Sequence, residues 1–219
     1  MKTHLAYMLC ALALLGCLPA VAQITHTSQG PVDLNAKKVL QKAAKRFDNG
    51  AVAFNVAMVN KDADKKETFR TTAQVTYLSG KYKVLFGQQE IYCDGASMWH
   101  YNSETNEVVV DKASTSVDDL MNPAALLHDY EQHFRAKFIR QEANGVVVID
   151  LTPRSSKTYH KVRLLIDSST GTLSRMEMHN YDGSRVEFAV SKFRSVKAAE
   201  NSFAFPKDKH PGVEVVDMR

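Results

Sequence analysis

Residues 94–101 read Asp94-Gly95-Ala96-Ser97-Met98-Trp99-His100-Tyr101, and Asn102-Ser103-Glu104-Thr105-Asn106-Glu107-Val108-Val109-Val110-Asp111 follows. After a polar bridge the chain reads Asp118-Asp119-Leu120-Met121-Asn122-Pro123-Ala124-Ala125-Leu126-Leu127. Asp94-Gly95 suits a tight turn that needs positive φ, and Ser97–Tyr101 is rich in strand-favouring aromatics. Asn102–Asn106 is a second turn cluster before a short valine strand. Asn122 can cap a helix, and Pro123 at the first helical position costs no intrahelical hydrogen bond. Leu120, Ala124 and Leu127 recur at helical spacing. Two strands thus deliver the chain into an amphipathic helix, predicted over about 122–134, within a β-rich sequence.

Working outward from this stretch, the order of elements is that of an α+β protein. Asp33 caps a predicted helix through Phe47, with Ala36, Leu40, Ala43 and Phe47 on one stripe. From Ala51 the period becomes two. Val52, Phe54, Val56 and Met58 form one face of a strand, and Ala51, Ala53, Asn55 and Ala57 form the other. The next strands alternate similarly: Phe69, Ala73, Val75 and Tyr77, then Tyr82, Val84 and Phe86. Strands resume after the central helix, with Ser168-Ser169-Thr170-Gly171 and Asp182-Gly183 as hairpin turns. Asn201–Phe205 and Val213–Val216 are expected to close the chain as strands. Roughly eleven strands and two helices, with no helix repeated between strands, predict a strongly curved antiparallel sheet with helices on its concave side.

Such a sheet must cover one face. Two helices of about fifteen residues do not fill the inside of so large a curved sheet, and barrel-like sheets of this size hold apolar ligands. The inward candidates for a cavity are Val52, Phe54, Val56, Met58, Phe69, Val75, Tyr77, Val84, Phe86 and Trp99. The same residues would serve equally as core packed against the helices.

The motifs quoted above resemble the outer-membrane lipoprotein carrier family (LolA-like): Asp-Gly, a Trp-x-Tyr strand, a polar turn, a valine strand and Asn-Pro-x-x-Leu-Leu. Leu151-Thr152-Pro153, Phe203-Ala204-Phe205-Pro206 and Pro211-Gly212-Val213-Glu214-Val215-Val216-Asp217 agree in order and spacing. The family's Arg-Pro-x-x-Phe-Arg-Trp-like segment is replaced by Ser79-Gly80-Lys81-Tyr82-Lys83-Val84-Leu85-Phe86, without arginine or tryptophan. The resemblance implies an incomplete β-barrel lidded by helices, holding the acyl chains of a lipoprotein as it crosses the periplasm. It implies as partners lipidated proteins, an inner-membrane release complex and an outer-membrane receptor. The helix carrying Leu120, Ala124, Leu126 and Leu127 would be the lid. A periplasmic lipid- or lipoprotein-sensing regulator of the same fold is the alternative from another class.

Composition fits one domain. Hydrophobic residues make up 44% and charged residues 24%, with Lys+Arg 28 against Asp+Glu 24. That mild imbalance, without clustered basic runs, argues against nucleic acid. The N-terminus reads as a cleaved export signal over residues 1–22, with Lys2, an apolar Leu5–Leu18 and Ala20-Val21-Ala22 before Gln23. Residues 23–219 are then a single exported domain, expected to be a monomer. Leu14-Leu15-Gly16-Cys17 approximates a lipobox, so lipidation at Cys17 competes with cleavage after Ala22. With that signal removed, Cys93 is left as a lone thiol, expected to be a small buried hydrophobe.

The histidines show no metal-ligand spacing, no nucleophile motif or phosphate loop occurs, and neither a cofactor nor catalysis is expected. His128 and His133, five apart, do not stack on one helical face. Asp118-Asp119 precede a helix start, where negative charge is favoured by the dipole.

Overall fold

Asp33 starts the first helix. Its Oδ1 accepts the N–H groups of Asn35 (3.0 Å) and Ala36 (3.1 Å), two donors that a helix start leaves without carbonyl partners. The computed structural model describes residues 33–113 and 123–219. Helix α1 (Leu34–Ala44) buries Ala36, Leu40, Ala43 and Ala44. The predicted stripe is therefore present, but the helix ends at Ala44 and Phe47 follows in a turn.

The first run of strands is β1 (Val52–Lys61), β2 (Glu67–Leu78), β3 (Lys81–Phe86), β4 (Gln89–Cys93), β5 (Ser97–Asn102) and β6 (Glu107–Lys112). Helix α2 (Pro123–His133) leads directly into β7 (Phe134–Gln141), β8 (Val146–Pro153), β9 (Tyr159–Asp167), β10 (Leu173–Asn180) and β11 (Arg185–Ser195). Strand β12 (Glu214–Asp217) ends the chain. The twelve strands of the described residues form one sheet in the order β12-β6-β5-β4-β3-β2-β1-β11-β10-β9-β8-β7. The sheet is curved and unclosed, with β12 and β7 at its two edges, and with the helices makes the predicted α+β incomplete barrel.

Two details differ from the expectation. Residues 201–205 are not a strand: Glu200–Phe203 is a 3-10 turn that buries Phe203. Strand β12 pairs with β6 in parallel, so the sheet is not wholly antiparallel. The expected signal segment, Cys17, Leu120 and the Asn122 cap lie outside the described residues.

A bulge bends the middle of the sheet. Ala53 pairs with Arg194 and Asn55 with Ser191, so two residues of β11 oppose Phe54 alone. Lys192 within that bulge takes φ 53°, the left-handed region that side chains seldom occupy. Alternation then separates the faces. The inner face joins α1 and α2 in the core through Phe54, Val75, Val84, Leu151, Leu164, Ile166 and their neighbours. Charged pairs occupy the outer face of the second half, such as Arg163–Asp150 (2.7 Å) and Lys61–Glu187 (2.9 Å). Burial pushes the Asp150 carboxyl up, but the Arg163 hydrogen bonds and charge outweigh it and hold the group below its ordinary value. The outer face of β4–β6 is covered by the C-terminal segment, where Phe205 meets Tyr92 (5.8 Å) and Tyr101 (5.2 Å).

Candidate functional site: an apolar cavity on the inner face

Both helices pack on the β7 side of the inner face. Lys37–Glu131 (2.8 Å) ties them to each other, and His128 of α2 meets Asp48 in the turn after α1 (3.0 Å). Helix α1 is also anchored at its end, where Lys42 Nζ donates to the carbonyls of Ser168 (2.9 Å) and Ser169 (2.5 Å). Between the helices and the middle of the sheet stands an aromatic wall. Phe47 packs edge-on against Phe54 (6.3 Å), Tyr77 (5.5 Å) and Phe193 (5.7 Å), and Phe54 stacks on Phe193 (5.6 Å).

Beyond that wall the described residues leave the inner face unfilled. A cavity of about 280 Å³ is lined by Phe54, Val56, Met58, Thr71, Ala73, Val75, Phe86, Ile91, Leu173, Met176, Phe188 and Val190. Among the described residues, Thr71 supplies its only side-chain polar group, and no charged side chain lines it. Methionines at two positions give the wall unbranched, adaptable side chains. The cavity has a direction. Along the inward face of β2, Tyr77 and Val75 are buried, Ala73 and Thr71 are half-buried, and Phe69 is 48% exposed. Its open end is therefore at the β1–β2 hairpin, away from the aromatic wall.

Of the residues expected to line a cavity, the structure brings together Phe54, Val56, Met58, Val75 and Phe86. Val52, Tyr77 and Val84 are on the same face but are packed in the core, and none lines the cavity. Phe69 shares the face, paired with Asn60, and stands at the mouth. Trp99 is a correction. It pairs with Tyr92 and Val110, whereas Met98 pairs with the inward-facing Cys93, so Trp99 points to the outer face. Of the lid residues, Ala124, Leu126 and Leu127 are buried in the core and are not among the described residues lining the cavity, and Leu120 lies outside the described residues. The lining from the later strands, Leu173, Met176, Phe188 and Val190, was missed by the sequence reading. Its signal was the alternation of Met176 and Met178 against Arg175 and Glu177.

Over residues 87–206 the sequence matches the family described as outer membrane lipoprotein carrier protein LolA. The chain belongs to that family. No curated protein matches it. Among solved structures, an uncharacterized conserved protein from Thermus thermophilus is 17% identical, with 84% of this chain and 99% of that one covered at a TM-score of 0.56. This likeness shows a shared fold. A LolA superfamily protein from Nitrosomonas europaea is 17% identical, covering 78% and 98% of the two chains at a TM-score of 0.45. A chain of the Pseudomonas aeruginosa MucA/MucB complex is 15% identical, covering 80% and 62% at a TM-score of 0.41.

Proposed function

We propose that this protein is a periplasmic carrier that shields the acyl chains of lipoproteins between the inner and the outer membrane. Residues 1–22 would be removed on export, and residues 23–219 would work as one domain, receiving cargo from an inner-membrane release complex and yielding it to an outer-membrane receptor. The observation that carries this reading is the cavity itself, a space that the described residues line without charge and almost wholly with apolar groups, left open at one end of the sheet. Burial is sufficient chemistry for such a task. Each methylene withdrawn from water contributes about 0.8 kcal/mol, so an acyl chain is held without a specific polar contact. No reacting group is required, and release needs only an acceptor that binds the chain better or a change of shape.

The test is to isolate the protein from periplasm and identify what accompanies it, then to titrate the emptied protein with a fluorescent fatty-acyl probe. A lipoprotein in stoichiometric amount and saturable probe binding are expected. Ala73→Phe places a ring in the cavity and is expected to abolish probe binding while the fold persists. An empty protein bound to a signalling partner, with no probe binding, would overturn the carrier reading in favour of a regulator.

A further inference from the structure

The sheet has a notch beside the cavity. Strand β2 pairs with β1 from Glu67 to Tyr77, but with β3 only over Gln74–Leu78. Strand β3 ends at Phe86, and Gly87, at φ 54°, turns the chain back into β4. The half of β2 over Glu67–Ala73 therefore has β1 on one side and, among the described residues, no strand on the other. Alternate residues of a strand turn their N–H and C=O groups to the same side, so this half presents an unpaired row of both.

A hollow of about 300 Å³ lies at this notch. Leu85, Phe86 and Gly87 bound it on one side, and Thr72, Ala73 and Gln74 on the other. Asn55, paired with Gln74 across β1 and β2, completes the polar lining. Among the described residues the hollow thus gathers two amides and a hydroxyl and no charge, and Asn55, Thr72 and Gln74 make no side-chain hydrogen bond. Ala73 and Phe86 line this hollow and the apolar cavity alike, so the two spaces meet at the notch. A molecule with an apolar tail and an uncharged, hydrogen-bonding continuation fits both.

We propose that a polypeptide joined to the acyl chain in the cavity leaves through this notch and adds as a strand to the free half of β2, continuing the line in which β3 stops. The inference rests on the carrier reading and names the part of the cargo that follows the lipid. Backbone groups along Glu67–Ala73 pair with such a peptide whatever its side chains, as in other cases of strand addition. The amides of Asn55 and Gln74 and the hydroxyl of Thr72 both donate and accept, which suits main-chain groups close to the lipid attachment. A phosphate headgroup would find no cation in the hollow, and a sugar would leave the strand edge unpaired. An extended peptide satisfies both.

Titration of the full chain with three ligands of the same acyl chain tests it: the fatty-acyl probe, a short uncharged peptide acylated at its N-terminus, and that acyl peptide with its backbone nitrogens methylated. The acyl peptide is expected to bind about tenfold tighter than the probe or better, equivalent to one or two net hydrogen bonds, and the methylated form to lose that gain. Hydrogen exchange should slow at β2 amides within residues 67–73 on adding the acyl peptide, and not on adding the probe. Asn55→Leu with Gln74→Leu is expected to remove part of the gain and leave probe affinity unchanged, since neither side chain lines the cavity. Equal affinity of the acyl peptide and its methylated form, without protection in β2, would overturn the proposal. A sugar-headed lipid that outbinds the acyl peptide would also overturn it and give the hollow to a glycolipid. Probe binding with no peptide gain removes this inference alone, whereas failure of probe and acyl peptide alike removes the carrier reading beneath it.

Discussion

The carboxylate of Asp33 joins helix α1 to the edge of the sheet: its Oδ2 accepts the N–H of Phe138 in β7 at 2.8 Å while Oδ1 caps the helix. Phe138 lies in β7, an edge strand of the sheet, so one side chain satisfies donors from two elements. Removal of the carboxylate in Asp33→Ala is expected to cost about 1–2 kcal/mol in denaturant unfolding. The hydrogen bond from Ala36, then that from Phe138, holds the Asp33 carboxyl below its ordinary value. A depressed carboxylate stabilises the fold above its unfolded pKa of about 3.9, and that stability is lost as pH falls through the lower folded value. Unfolding midpoints measured below about pH 4 should therefore converge for the parent and Asp33→Ala. A constant gap down to about pH 2 would show that the ionised carboxylate is not what stabilises this junction.

Gly171 turns the chain at φ 73° directly against helix α1. A Cβ there would meet the Lys42 carbonyl oxygen at 2.8 Å. Gly171→Ala combines a left-handed alanine with a clash against backbone, and a loss of roughly 2–4 kcal/mol is expected. Thermal unfolding checks it. Gly87→Ala, where nothing lies within 4 Å, carries the positive-φ strain alone and should cost less.

Leu127 is 2% exposed and surrounded by core. Leu127→Ala is expected to lower stability by about 2–5 kcal/mol, as for other buried leucines. Acyl-probe affinity in the folded fraction should be unchanged, because the side chain does not line the cavity. A large loss of affinity with little loss of stability would return this helix to the role of lid.

Trp99 is the chain's one tryptophan, and it faces away from the cavity. Its fluorescence should therefore be insensitive to cargo. Titration with a bromine-labelled fatty acid is expected to leave the emission unquenched, while the same titration of Phe86→Trp, which puts an indole in the cavity wall, is expected to quench it. Quenching of Trp99 in the parent protein would contradict the register of β4 and β5.

Much of this fold is readable in the chain because alternation and turn chemistry are local. Asp33, the Asp94-Gly95 and Asp182-Gly183 turns and the two-residue period of Val52–Met58 each specify structure through their neighbours in sequence. Trp99 shows the limit. Its strand alternates, yet Tyr92, Tyr101 and Val108 on the same face are buried as well, because the C-terminal segment covers that outer face. When both faces are apolar, the period does not reveal which one is inside. Leu126 and Leu127 show a second limit. A helix stripe announces that it is buried, but packing against a core and roofing an empty space demand the same residues. The cavity depends on the pairing of β1 with β11, a contact that no local pattern encodes.

That pairing also has a consequence for how the chain finds its fold. Strands β1–β6 and β7–β11 are two runs of consecutive neighbours, each joined by short turns, while the seam between them unites Val52 with Ser195 and Lys61 with Arg185. Loop-closure entropy makes such a seam slow relative to hairpins. The hypothesis is that the two halves form first and the seam zips last, so that the cavity, walled by β1–β4 from one half and β10 and β11 from the other, exists only in the finished molecule. Stopped-flow refolding read by Trp99 in the first half, and by a donor–acceptor pair placed across β1 and β11, is expected to show the indole signal leading. A single phase shared by both probes would mean that the whole sheet assembles in one cooperative step.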